Sequence, residues 1–216
     1  MPDHLIVIRS GVTDYDLQGR IRGTLDLPLS PEGVAAATKA GERLAADPPA
    51  AIYTSEAECA VETGRLIAAA CGLKPRPLAN LDNLDLGLWQ GKLVDDIRET
   101  QPRLHRQWQD NPWAVAPPEG ELLEQACERV ETALEKLFKR HPAGRVAVVV
   151  PQPLDAIVRW LVSGRSMGDL WCIDPAAELI EELPVAAQWQ PSRPGMAASP
   201  PLAREAPVAG HPFVSR

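Results

Sequence analysis

Short apolar runs separated by amphipathic stretches set out the elements of this chain. Leu5-Ile-Val-Ile8 ends in Arg9-Ser10-Gly11, the pattern of a buried strand entering a loop. Ser30-Pro31-Glu32 predicts a helix start, with a capping hydroxyl, proline at the first helical position and an acid in the first turn. That helix should reach about Ala46, where Pro48-Pro49 stops it. Ala51-Ile-Tyr-Thr54 predicts a second strand. Thr54 or Ser55 is expected to cap a helix running to about Cys71, with Gly72 just past its end. Residues 73–91 show little periodicity, and 92–110 predict one or two short helices broken at Pro102. Asn111 to Pro118 is a loop. Glu119 to Arg140 is the clearest amphipathic helix, with Leu123, Cys127, Val130, Leu134 and Leu137 at helical spacing. Arg145 to Val150 is a buried strand, Leu154 to Val162 a helix, and 177–187 an edge strand. Strands alternating with helices predict an α/β domain, three α/β/α layers around a mostly parallel sheet.

This pattern ends near Gln190. Residues 190–216 hold six prolines and no periodicity, so residues 1–189 form the expected domain and 190–216 a disordered or loosely attached tail. Pro191-Ser-Arg-Pro194 fits a PxxP spacing, which a proline-rich tail produces by chance.

The 216 residues suffice for one domain with a large core. Lys plus Arg number 22 against 29 acids, a net charge of −7, which disfavours nucleic acid as a partner. No apolar run is long enough to span a bilayer, and the first residues lack a signal-like pattern, so a cytoplasmic protein without membrane contact is expected. Cys59, Cys71, Cys127 and Cys172 are scattered and form no metal or redox motif. Neither a metal nor a cofactor is expected.

Five ordered segments carry a resemblance to a known family. The first is Ile6-Val-Ile-Arg-Ser-Gly-Val-Thr13, continued by Gly19-Arg20, Gly23, Asp26, Pro28-Leu29 and Gly33. Then follow Ile52 to Thr63, Leu81 to Gly91, Pro117-Pro-Glu-Gly-Glu121 and Val148-Val-Val-Pro-Gln-Pro153. Over residues 4–164 the chain resembles the histidine phosphatase superfamily, with its phosphoglycerate-mutase-like fold. In that family a histidine attacks phosphorus, two arginines and a second histidine surround the phosphoryl oxygens, and a carboxylic acid protonates the leaving oxygen. The resemblance puts the attacking histidine's position on Ser10. The second arginine falls on Cys59, the acid on Asn83, and the second histidine on Gln152, or on Pro151 if the match slips by one. A phosphate-binding asparagine falls on Asp16. Arg9 keeps its place, with Arg20 and Arg22 as neighbouring anion-binding candidates.

These departures imply a catalytically inactive protein that uses the fold for binding, scaffolding or regulation. A protein partner, a small anionic ligand or a second copy of the chain would then occupy it. Two alternatives stand beside that reading: a residual phosphomonoesterase with a new nucleophile at Ser10 or Cys59, and an inactive subunit of an active paralogue. Serine needs a base. His4, His141 and His211 are expected far from the pocket and His105 on the surface, while Asp14, Asp16 and Asp85 are weak candidates. Asp16 is expected to pair with Arg9 or Arg20. Pro151 and Pro153 stiffen the loop at a strand's C-terminal end, where open α/β sheets place ligands. Trp89 and Trp160 are expected in the core, and Trp108 and Trp113 in a segment covering the pocket.

Overall fold

The structure, a computed structural model, describes residues 1–168, 170 and 177–191. Five strands form one sheet in the order β3-β2-β4-β1-β5. They are β1 (His4–Arg9), β2 (Ala51–Thr54), β3 (Arg76–Pro77), β4 (Arg145–Val150) and β5 (Ile180–Pro184). The first four are parallel, and β5 closes the edge antiparallel to β1.

Alternation along the buried strands sorts their side chains between two cores. Ile6 and Ile8 of β1, Ile52 of β2, and Ala147 and Val149 of β4 pack on one face. There they meet Ala40 and Leu44 of α2 (Pro31–Leu44) and Ala60, Ile67 and Ala68 of α3 (Glu58–Ala70). A four-residue helix, α1 (Asp14–Leu17), precedes them. Leu5, Val7, Tyr53, Val146, Val148 and Val150 face the other way, onto α6 (Leu123–Arg140) and α7 (Leu154–Ser163). In the chain α4 (Val94–Thr100) and α5 (Pro102–Asp110) follow the irregular segment after β3, and their Ile97 and Trp108 join this second core. The three-layer α/β/α architecture is therefore the expected one. No helix among the described residues is long and apolar enough to cross a membrane.

Several local expectations need correction. Helix α3 begins at Glu58, and neither Thr54 nor Ser55 caps it. Ser55 N instead donates to Val149 O at 2.9 Å, which keeps that residue in the extended chain beyond β2. Helix α6 begins at Leu123 rather than Glu119, because Glu119 has a φ of 61° and Glu121 is held by Arg129. His105 is buried, since it shares the inward face of α5 with Trp108 three residues on. Trp108 is itself a core residue, edge-on to Trp89 at 5.9 Å between ring centroids. Trp160 is only partly buried, against Trp113. The tail expected from residue 190 lies outside the described residues from 192 on, as do Trp171, Cys172 and His211.

Candidate functional site

Register brings the two motif strands together. Arg9 at the end of β1 is paired with Val150 at the end of β4, and Ser10 N donates to Val150 O at 2.8 Å. Ser10 and Pro151 therefore leave the sheet side by side, at the carboxyl ends of adjacent parallel strands. Gly11 then passes against the start of α2. A Cβ there would stand 2.6 Å from Gly33 O, so only glycine permits this approach. Gly11 N donates to Thr63 Oγ1 of α3 at 2.9 Å, which ties the loop to the helix that carries Cys59.

The loop after Gly11 turns on Thr13. Its side chain caps α1, and Thr13 N and Oγ1 both donate to Asp16 Oδ2, at 2.7 and 2.9 Å. This reciprocal capping box holds Asp16 inward. The Thr13 to Asp16 spacing carries that signal in the sequence, yet the short helix was not anticipated. Asp16 pairs with Arg22, not with Arg9 or Arg20: Arg22 Nη1 donates to Asp16 Oδ2 at 3.2 Å, with both side chains nearly fully buried. Arg20 instead points along the rim, to Gln18 Oε1 and Gly91 O.

Arg22 is the organising side chain of the site. Its Nη1 also reaches Cys59 Sγ at 3.3 Å, and its Nη2 donates to Gln152 O at 3.3 Å. Arg9 approaches the same residue from the other side, Nη1 donating to Gln152 Oε1 at 3.2 Å. Asn83 Nδ2 donates to Gly23 O and to Gln152 O, at 2.7 and 3.0 Å. Asn83 is placed by Arg129 of α6, which takes the Asn83 and Asp82 carbonyls and a two-pronged contact with Glu121. Arg129 had no part in the expectation; its role depends on loop carbonyls that no motif records. Arg9, Arg22, Cys59, Asn83 and Gln152 are thus linked through direct contacts, and Ser10 is next to Arg9 in the chain.

Behind Arg9 lies Asp155, on the first turn of α7 and 1% exposed. Arg9 Nε and Arg159 Nη2 stand 3.4 and 3.0 Å from its Oδ2, ion-pair contacts without hydrogen-bond geometry. Burial raises the Asp155 carboxyl above its ordinary value, against the pull of Arg159 and Arg9. This carboxylate was also not foreseen, since it reads as a first-turn acid on a helix.

Ser10 Oγ is buried and has no hydrogen-bond partner among the described residues. Cys59 is 1% exposed. Of the histidines, His4 lies beside Glu182, and His141 Nε2 is 3.0 Å from the Tyr53 hydroxyl. Asp85 is engaged with Gly87 N. Among the described residues no group of His, Cys, Asp and Glu could hold a metal ion. Asp16, Arg20, Arg22 and Gln152 border a cleft of about 320 Å³.

Comparison with known proteins agrees with this architecture. The chain is 32% identical over 145 residues to phosphoserine phosphatase 1 of Hydrogenobacter thermophilus, covering 67% of this chain and 69% of that protein. It is 30% identical over 148 residues to phosphoglycerate mutase-like protein 4 of Arabidopsis thaliana, spanning 67% of this chain but only 64% of that protein's length. Among solved structures, a mycobacterial glucosyl-3-phosphoglycerate phosphatase superposes with a TM-score of 0.69 at 26% identity, over 76% of this chain and 81% of the other. Bacillus stearothermophilus YhfR gives 0.72 at 26% identity, over 84% and 90%. Relatives named as phosphatases and mutases overturn the expectation of an inactive binding or scaffolding protein, and favour the phosphatase alternative. The histidine phosphatase superfamily (branch 1) matches residues 5–182, and the chain belongs to that family.

Proposed function

We propose that this protein is a phosphomonoesterase in which Arg9 and Arg22 hold the phosphoryl group and Cys59 or Ser10 takes the place of a histidine nucleophile. The observation that carries this reading is the convergence of two guanidiniums on Gln152, one on its side-chain oxygen and one on its carbonyl. Paired guanidiniums suit the charge spread over phosphoryl oxygens. Arg22 contributes from the loop a cation beside Cys59, where the family resemblance places an arginine on α3. The phosphatases among the relatives support the same chemistry.

In this reading an incoming phosphate ester displaces the Gln152 side chain from Arg9. The nucleophile gives up its proton to solvent and attacks phosphorus, the ester P–O bond breaks, and the electron pair leaves on the ester oxygen, which takes a proton back from water. A second water then attacks the phosphorylated side chain, releasing phosphate and restoring the thiol or hydroxyl. Geometry favours Cys59. A cysteine attacks as its thiolate, which a neighbouring cation favours, and the Cys59 sulfur touches Arg22. The free thiols of Cys59, Cys71 and Cys127 support a reducing, cytoplasmic setting.

The test is turnover of p-nitrophenyl phosphate by the purified protein and by Arg9→Gln. Hydrolysis should fall on the order of 10²-fold in the variant, the usual effect of removing one donor to the developing charge. No turnover, or turnover indifferent to Arg9, would overturn the reading.

A further inference from the structure

The cleft beside Arg22 joins two kinds of side chain. Asp16, Gln18, Arg20, Arg22, Asp95 and Gln152 are its polar and charged lining. Ile21, Leu86, Leu93, Val94 and Pro153 supply apolar wall. Ile21, Leu86 and Pro153 are buried parts of the wall, while Leu93 and Val94 remain partly open to it. These residues come from three separated segments, the loop after α1, the connection into α4 and the loop after β4, so the apolar wall is assembled by the fold.

The polar side chains of the rim are already engaged within the protein. Gln18 Oε1 accepts from Arg20 Nε at 3.0 Å, and Arg20 Nη1 donates to Gly91 O at 2.8 Å. Asp95 pairs with Arg98 at 2.9 Å, and Gln152 Oε1 accepts from Arg9 at 3.2 Å. A ligand rich in hydroxyls would lose its hydration against the apolar wall without hydrogen bonds from those side chains to replace it. An alkyl or aryl group loses nothing there and gains burial.

We infer that the substrates are phosphate monoesters with an apolar organic group, an alkyl or aryl phosphate, rather than sugar, amino-acid or polyol phosphates. The inference rests on the phosphate-ester reading above. The phosphoryl group lies at Arg22, which joins the phosphate site to this cleft, and the organic group extends along Leu86, Leu93 and Val94.

Binding can be read without turnover, by titrating the purified protein calorimetrically with inorganic phosphate, hexylphosphonate and 3,4-dihydroxybutylphosphonate. Hexylphosphonate should bind at least tenfold more tightly than the dihydroxy compound, with roughly three- to fourfold gained per added methylene along a series of shorter alkylphosphonates. Leu93→Gln should narrow that ratio and leave the affinity for inorganic phosphate unchanged. Equal binding of the two phosphonates, or tighter binding of the dihydroxy compound, would overturn the inference while leaving the phosphate-ester reading standing. Failure of all three compounds to bind would overturn that reading and this inference together.

Discussion

Arg22 Nη1 lies 3.3 Å from the sulfur of Cys59, so a loop guanidinium stands beside the α3 residue that the family resemblance marks as an arginine position. The consequence is electrostatic. A cation is delivered by a different segment, and its charge is held in place by a buried partner, Asp16, at 3.2 Å. Removing one member of such a pair strands the other, at about 3–5 kcal/mol. Asp16 therefore fixes Arg22 in position and also weakens its pull on any second anion.

That tension gives a first prediction. Asp16→Asn keeps an oxygen for the cap on Thr13 N and removes the competing charge. A unit charge pair near 4 Å is worth about 4 kcal/mol at an effective dielectric of 20, so even a partial release should tighten inorganic phosphate binding about tenfold or more. Calorimetric titration of the variant beside the unmodified protein checks this. Unchanged affinity would mean that Arg22 does not face the bound anion.

Leaving-group dependence follows from Asn83. Its amide donates to Gly23 O and Gln152 O and has no acidic proton to deliver. The ester oxygen must depart with help from solvent alone, so the rate should depend steeply on its basicity. Phenyl phosphates should turn over at least about a hundredfold faster than alkyl phosphates of similar size, the low end of what general acid catalysis supplies. A flat series across substituted phenyl and alkyl phosphates would reveal an acid that this account omits.

The strands were legible in the sequence because both faces of β1 and β4 are buried, giving unbroken runs such as Val146 to Val150. The start of α2 was legible because Ser30 and Pro31 act locally, and Ser30 Oγ does accept from Gly33 N at 3.1 Å. Ser55 carried the same capping signal and failed, because a tertiary bond to Val149 holds it in the extended chain. The site was legible to the same depth. The family resemblance placed Arg9, Cys59, Asn83 and Gln152 in one site, and the structure brings them together. The partner of Asp16 was not legible, because it depends on how the loop from Thr13 to Arg22 folds back on itself. Asp155 and Arg129 escaped for the same reason: the partners that tie them to the site, Arg9 and the Asn83 carbonyl, lie more than forty residues away.

Asp155 supplies a pH prediction. Burial raises its carboxyl above the ordinary value of 3.8, so the folded state holds this proton more tightly than the unfolded chain. Its contribution to stability is complete below pH 3.8 and is lost as pH rises through the folded-state value. Asp155→Asn removes this slope. The melting temperature of the variant, relative to the unmodified protein, should therefore rise as pH increases above 3.8. Thermal melts across that range check the sign, and a difference moving the other way would mean that Arg9 and Arg159 outweigh burial.

The most direct test of the central claim is to look for the phosphorylated side chain. The purified protein is quenched during turnover of p-nitrophenyl phosphate, and its intact mass and peptide map are read beside those of Cys59→Ala, Ser10→Ala and the double variant. The account predicts a phosphoryl adduct on Cys59, or on Ser10, with turnover lost in the variant that lacks the modified residue. Turnover that persists in the double variant, or a protein that neither hydrolyses the ester nor carries an adduct, would contradict it.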